Sequence, residues 1–241
     1  MDPAEIGNLL NTISLILMTA LLSAGTFLNY VRAKRKKEKS TALIYLGTGW
    51  LGWALSYILI SIRLGISIGD GDFHILMYKI ILTLDAFGFG CFFFFIGRFF
   101  NEKQTGLYSK KSFEILGVFL FIIQTLFVWL VGGFGVEDTP FGVEILPSFV
   151  CQNIMAMAMI VGGVLFYLAG KRFKRMGGKE NQRNRESIGN VCMVLAFFML
   201  LLIIHIFTTV WFGHGVLSGI LLLIARGLLG SSSILTARLL K

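Results

Sequence analysis

SIGNVCMVLAFFMLLLIIHIFTTVWFGHGVLSGILLLIARGLLGSSSILT, residues 187–236, decides the fold. The stretch is apolar along nearly its whole length, and only Gly213, His214 and Gly215 interrupt it. As a single helix of about 50 residues it would run to about 75 Å, more than twice the roughly 30 Å of a bilayer's hydrocarbon layer. It therefore reads as two spanning helices, 187–212 and 215–236, joined by a tight turn.

Working outward, five more apolar stretches meet the requirement of about 20 residues for a crossing. They lie at 6–31, 41–64, 75–99, 112–132 and 149–170. Seven crossings leave little chain for anything else, and a composition 56% hydrophobic is too apolar for a water-soluble domain. The expected class is an all-α membrane protein, a single seven-transmembrane-helix bundle over 1–241. The first stretch does not read as a signal peptide, because Asp2 and Glu5 precede it where such a peptide carries positive charge.

Lys and Arg set the orientation, since short loops rich in them stay cytoplasmic. Arg32, Lys34, Arg35, Lys36, Lys37 and Lys39 fill the first loop, and Arg98, Lys103, Lys110 and Lys111 the third. Lys171, Arg172, Lys174, Arg175, Lys179, Arg183 and Arg185 crowd the fifth, and Arg238 and Lys241 follow the last helix. Of the 22 basic residues only Arg63, Lys79 and Arg226 stand apart from this side. Asp2, Glu5, Asp70, Asp72, Glu137, Asp138 and Glu144 fall on the other. The N-terminus is thus expected outside and the C-terminus in the cytoplasm, in a multi-pass protein of the cell membrane.

The net charge of +9 is mostly this topological signal. Its expected partner is a bilayer with anionic headgroups at the cytoplasmic face. Nucleic acid is not expected, because loops this short offer no folded basic surface. Nor do they hold a soluble domain, so any signalling output is expected from a separate cytoplasmic or membrane partner. The outer loop from Gly132 to Pro147 is rich in turn residues and reads either as a connector or as a cover over an outer cavity. Pro3, Pro140 and Pro147 all fall outside the helix interiors, against folds built on proline-broken helices.

Ionisable residues at membrane depth are the informative ones, since each costs about 2.5–3.5 kcal/mol or more at the bilayer centre. Asp85 in helix three and Arg226 in helix seven both fall near mid-membrane. Arg226 shares a helical stripe with Gly219, Gly230 and Ser233, a small-residue face suited to close packing. An Asp85–Arg226 ion pair is expected, serving either as an architectural bridge or as part of a site. Lys79 and His205 fall in the outer thirds of their helices. Lys79 reads as a snorkelling side chain or a site cation, and His205 as a satisfied interior histidine or a proton-transfer group. If Lys79, Asp85, His205 and Arg226 line one outer cavity, a small anionic or zwitterionic ligand fits it.

Trp50 and Trp53 read as packing residues beside Gly49 and Gly52, and the Phe92–Phe95 run as core or lipid-facing filler. Trp129 and Trp211 read as members of an interfacial aromatic belt or as a site rim, which Gln152 and Asn153 would join. Cys91, Cys151 and Cys192 lack CxxC spacing and read as packing residues. His74, His205 and His214 match no metal motif, so no metal or cofactor is expected. An enzyme is not expected either: Asp85 is a single membrane aspartate where an intramembrane aspartyl protease needs two, and residues 215–219 do not match a GxSG turn.

In architecture the whole chain is similar to seven-helix receptors and sensors, including microbial rhodopsins and the seven-helix input regions of sensor kinases. The last helix offers Arg226 where a retinal protein carries its Schiff-base lysine, and Lys241 lies beyond its end. The odd helix count, the inward charges and the absence of proline-broken helices lead to the expectation of a receptor or sensor without its own output domain, binding a small ligand in an outer-half cavity. A transporter or channel for a small polar solute, or an accessory subunit of a membrane complex, are the alternatives.

Overall fold

The computed structural model describes residues 3–35, 40–65, 71–99, 109–139, 142–175, 182–212 and 216–239. Its elements in chain order are α1 (Pro3–Arg35), α2 (Ser40–Gly65), α3 (Gly71–Gly97), α4 (Lys110–Leu126), a π-helical turn (Phe127–Val131), β1 (Phe134–Thr139), β2 (Gly142–Pro147), α5 (Phe149–Arg175), α6 (Gln182–Phe212) and α7 (Val216–Leu239). Among the described residues seven helices are long and apolar enough to cross a membrane. The chain is an all-α, seven-helix, multi-pass membrane protein.

The long apolar run does divide: α6 ends at Phe212 and α7 starts at Val216. The interrupting residues, including His214, lie outside the described residues. So do the side chains of Cys151, Gln152 and Trp211.

Helices extend past the apolar stretches on the basic side. α1 continues beyond residue 31 to Arg35, α5 beyond 170 to Arg175, and α6 begins before 187 at Gln182. Hydropathy marks only the length that sits in hydrocarbon; the backbone ladder carries on where Lys and Arg stems reach the headgroups. Basic residues in the last turns of α1 and α5 also offset the negative end of each helix dipole.

Two compact units make up the chain. One comprises Met1–Lys37 with Ala156–Lys241, and the other Glu38–Met155.

In the first unit α7 packs on α1 and α6. The small-residue stripe of α7 is used as its pattern implies. A Cβ on Gly219 would meet the Gly7 carbonyl oxygen at 3.0 Å, and one on Gly230 the Leu21 Cβ at 2.8 Å. Without a hydrophobic force between helices in lipid, such contact distances supply the adhesion. Hydrogen bonds stitch the same seam: Ser233 Oγ donates to Leu21 O at 2.9 Å or to Gly230 O at 2.6 Å, and Asn29 Nδ2 reaches Gly25 O at 2.7 Å and Ser233 O at 3.3 Å.

In the second unit α3 is the central helix, with α2 on one flank and α4 on the other. Trp50, Trp53 and Phe92 are buried and meet edge to face, Trp50 and Phe92 at 4.5 Å and Trp53 and Phe92 at 4.9 Å between ring centroids. Phe93 and Phe95 are also buried, so the phenylalanine run is core filler, and Phe94 stacks on Tyr45 at 5.3 Å. Cys91 and Cys192 are buried free thiols, consistent with packing. α4 is the opposite case, exposing Ile115, Val118, Phe119, Ile122 and Leu126. An apolar face of that extent suits lipid and would aggregate in water.

Ser109 caps α4, its Oγ accepting from the Ser112 amide at 3.1 Å. Ser109→Ala is expected to cost about 1 kcal/mol. Faster hydrogen exchange in the first turn of α4, with α3 unchanged, checks it.

The segment after α4 is more than a turn-rich connector. β1 and β2 pair antiparallel from Phe134↔Pro147 to Thr139↔Gly142. The Ser148 amide donates to Gly133 O at 2.7 Å and closes the base of the hairpin.

Candidate functional site beneath the hairpin

The site grows from the first turns of α3. Gly71, His74 and Tyr78 recur at offsets of three and four and so share one face of the helix. Both ends of this stripe touch β1. A Cβ on Gly71 would meet Val136 Cγ2 at 3.3 Å, and the Tyr78 ring meets Phe134 at 5.6 Å. His74 lies between them and is 0% exposed. Among the described residues neither of its ring nitrogens has a hydrogen-bond partner. A buried polar group with no partner costs about 1–3 kcal/mol, so a retained one asks for a reason.

Two cations flank this histidine's stripe. Arg63, from the last turn of α2, is buried and places its guanidinium carbon 6.0 Å from the Tyr78 ring centre. Lys79, one residue past Tyr78, points to the other flank, with Nζ 5.6 Å from the Trp129 ring centre and 5.8 Å from that of Phe134. Aromatic rings therefore stand within cation–π range of the ammonium on two sides. Phe134 thus serves both flanks, resting on Tyr78 and facing Lys79.

The π-helical turn positions Trp129. Its extra residue per turn is closed by the Gly132 amide donating to Phe127 O at 2.8 Å. Trp129 Nε1 then donates to Thr83 Oγ1 at 3.0 Å, while Thr83 Oγ1 donates to Lys79 O at 2.8 Å. This tryptophan is half-exposed and hydrogen-bonded to α3.

Asp85 continues the α3 stripe one heptad beyond Tyr78, partly exposed, and its backbone carbonyl accepts from Trp53 Nε1 at 2.9 Å. Lys79 and Asp85 therefore belong to the second unit.

Arg226 and His205 belong to the first. Arg226 is 9% exposed and sits in a polar knot with α1, donating through Nη1 to Asn11 Oδ1 at 2.5 Å, Ser14 Oγ at 2.6 Å and Asn11 O at 3.4 Å. Asn11 and Ser14 read in the sequence as ordinary helix residues, yet they are what holds this charge within its unit. His205 is partly exposed; Thr208, on its face, donates to Ile204 O at 2.7 Å. The sequence-expected pair of Asp85 with Arg226 would have to join the two units.

Sequence reasoning gave His74 and Arg63 no role. The signal lay in the spacing Gly71–His74–Tyr78, with a glycine where a strand can lie close.

The Arg63 guanidinium, the Lys79 side chain and the His74 imidazole thus sit near aromatic rings, with Asp72 exposed in the first turn of α3. Such a set can bind an anion by charge-assisted hydrogen bonds and shelter an attached apolar group. Among the described residues no group of three His, Cys, Asp or Glu side chains is placed to hold a metal ion. The chain matches no protein-family model and no curated protein.

Proposed function

We propose that the protein is a seven-helix membrane receptor or sensor that reads a small anionic or zwitterionic ligand beneath the hairpin, at the ends of α2, α3 and α4. The carrying observation is His74, wholly buried with both ring nitrogens unpaired, in a stripe bounded by Gly71 at Val136 and Tyr78 at Phe134. A carboxylate or phosphate oxygen supplies the partner that the imidazole lacks, and Arg63 and Lys79 supply the opposite charge. By the distribution of basic residues this end faces outward, in the cell membrane.

His74 is fully covered, so a ligand reaches it by displacing part of the hairpin. Binding and movement are then one event, and the differential affinity for the opened form is what carries a signal. Output passes to a separate partner at the basic side.

Purified protein in detergent, screened by thermal shift against small carboxylates, amino acids and inorganic phosphate, tests the proposal. At least one anion class is expected to raise Tm, with Lys79→Met and His74→Leu each weakening its apparent affinity about tenfold or more, in line with loss of a charge-assisted hydrogen bond. Equal stabilisation of wild type and both variants sinks it. Flux of the same anion into proteoliposomes would move the assignment to a transporter.

A further inference from the structure

An open groove of about 520 Å³ runs between α5 and α6 inside the first unit. Met159, Gly163 and Tyr167 line it from α5, and Met193, Ala196 and Ile203 from α6. Gly163 and Ala196 hollow it, since neither carries a side chain that fills the space between the helices.

Its length and direction are informative. Along α5 the lining spans 159–167 and along α6 193–203, about 12 Å and 15 Å at 1.5 Å per residue. That is close to one leaflet, half of the roughly 30 Å hydrocarbon layer. The two helices run antiparallel, with Gly170 against the Gly189 carbonyl at one end and Gly163 against Met199 further in. The groove therefore starts at Tyr167 and Met193, next to the basic ends, and runs toward mid-membrane.

At its mouth the chemistry changes abruptly. Lys171 places Nζ 6.0 Å from the Tyr167 ring centre. Arg172, Lys174 and Arg175 follow, all exposed, and Lys174 lies across Gly189 of α6. An apolar slot one leaflet deep that opens onto a cluster of cations matches a molecule with one acyl chain's worth of grease and a negative head.

We propose that this groove is a binding site for an anionic phospholipid of the basic-side leaflet, one acyl chain lying in the slot and the headgroup phosphate held by Lys171 and its neighbours. The exposed basic residues set the preference for negative headgroups, and the hollow at Gly163 and Ala196 sets retention of the chain. Met159 and Met193, unbranched and polarisable, adapt to a flexible occupant.

Native mass spectrometry of the full-length protein with phosphatidylglycerol or phosphatidylcholine tests this. Wild type is expected to retain phosphatidylglycerol in preference. Lys171→Glu with Arg172→Glu should erase the preference, about fivefold for each basic residue. Val164→Trp, at an exposed groove position, should lose both lipids while the protein keeps its Tm, and glycerol phosphate without acyl chains should not bind detectably. Equal retention of the two lipids by wild type overturns the proposal, as does unchanged binding in Val164→Trp. A stable dimer that Val164→Trp splits into monomers would also overturn it, by giving the groove to a second copy of the chain.

Discussion

Gly25→Leu is expected to prevent stable folding of the first unit. A Cβ at Gly25 would overlap Ser233 Oγ and lie 2.5 Å from its Cβ and 2.7 Å from its backbone carbonyl carbon. The last atom belongs to the helix itself and cannot swing aside. Accommodation requires α7 to move off α1, and that movement breaks the bonds from Ser233 Oγ to Leu21 O and from Asn29 Nδ2 to Ser233 O together. Overpacking alone costs about 1–3 kcal/mol, and each lost bond adds about 0.5–1.5 kcal/mol. In a membrane this is serious, since close contact is most of what holds two helices together. Gly227→Ala is the matched control on the same helix. Nothing lies within 4 Å of its added Cβ, so stability should hold or rise slightly. Detergent-solubilised yield and Tm of the two variants check the contrast; equal behaviour would mean that the α1–α7 seam is not formed as described.

Gly88→Val carries the second large effect, in the other unit. Its Cβ would stand 2.6 Å from Trp53 Cδ1, 2.8 Å from Gly49 O and 2.9 Å from Trp53 Nε1. The indole cannot retreat, because Trp50 and Phe92 close the space behind it. Its hydrogen bond to Asp85 O is lost, leaving a buried N–H without its acceptor. A destabilisation of about 3 kcal/mol or more is expected from the two terms combined. The effect reaches the site, since the same α3 stripe that carries Gly88 carries Tyr78 and His74 toward β1. A red-shifted tryptophan emission with a lower Tm is the readout. Unchanged emission would place Trp53 elsewhere.

What was legible in the sequence was whatever lipid itself selects. A spanning helix must be apolar for about 20 residues and must satisfy its own backbone, so seven apolar stretches gave seven helices with ends correct to a few residues. The stripe of Gly219, Arg226, Gly230 and Ser233 was legible for the same local reason, and Trp50 and Trp53 announced packing through the glycines beside them. The hairpin was not. Two strands of six residues are marginal alone, and these are held by Phe134 on Tyr78 and Val136 over Gly71, contacts that no run of neighbouring residues encodes. His74 therefore read as one of three scattered histidines, although its stripe neighbours Gly71 and Tyr78 meet Val136 and Phe134, much further along the chain. Arg226 shows the converse. Its depth was plain, but the acceptors on Asn11 and Ser14 come from the opposite end of the chain.

The central claim is that a ligand's oxygen meets His74 beneath the hairpin. The most direct measurement is ¹⁵N NMR of the histidine rings in the full-length protein, with His74 assigned through His74→Gln. Titration with the anion that raises Tm should shift the His74 ring nitrogens toward a hydrogen-bonded state and leave His205 where it was. Saturation by the anion with the His74 resonances unmoved would contradict the account.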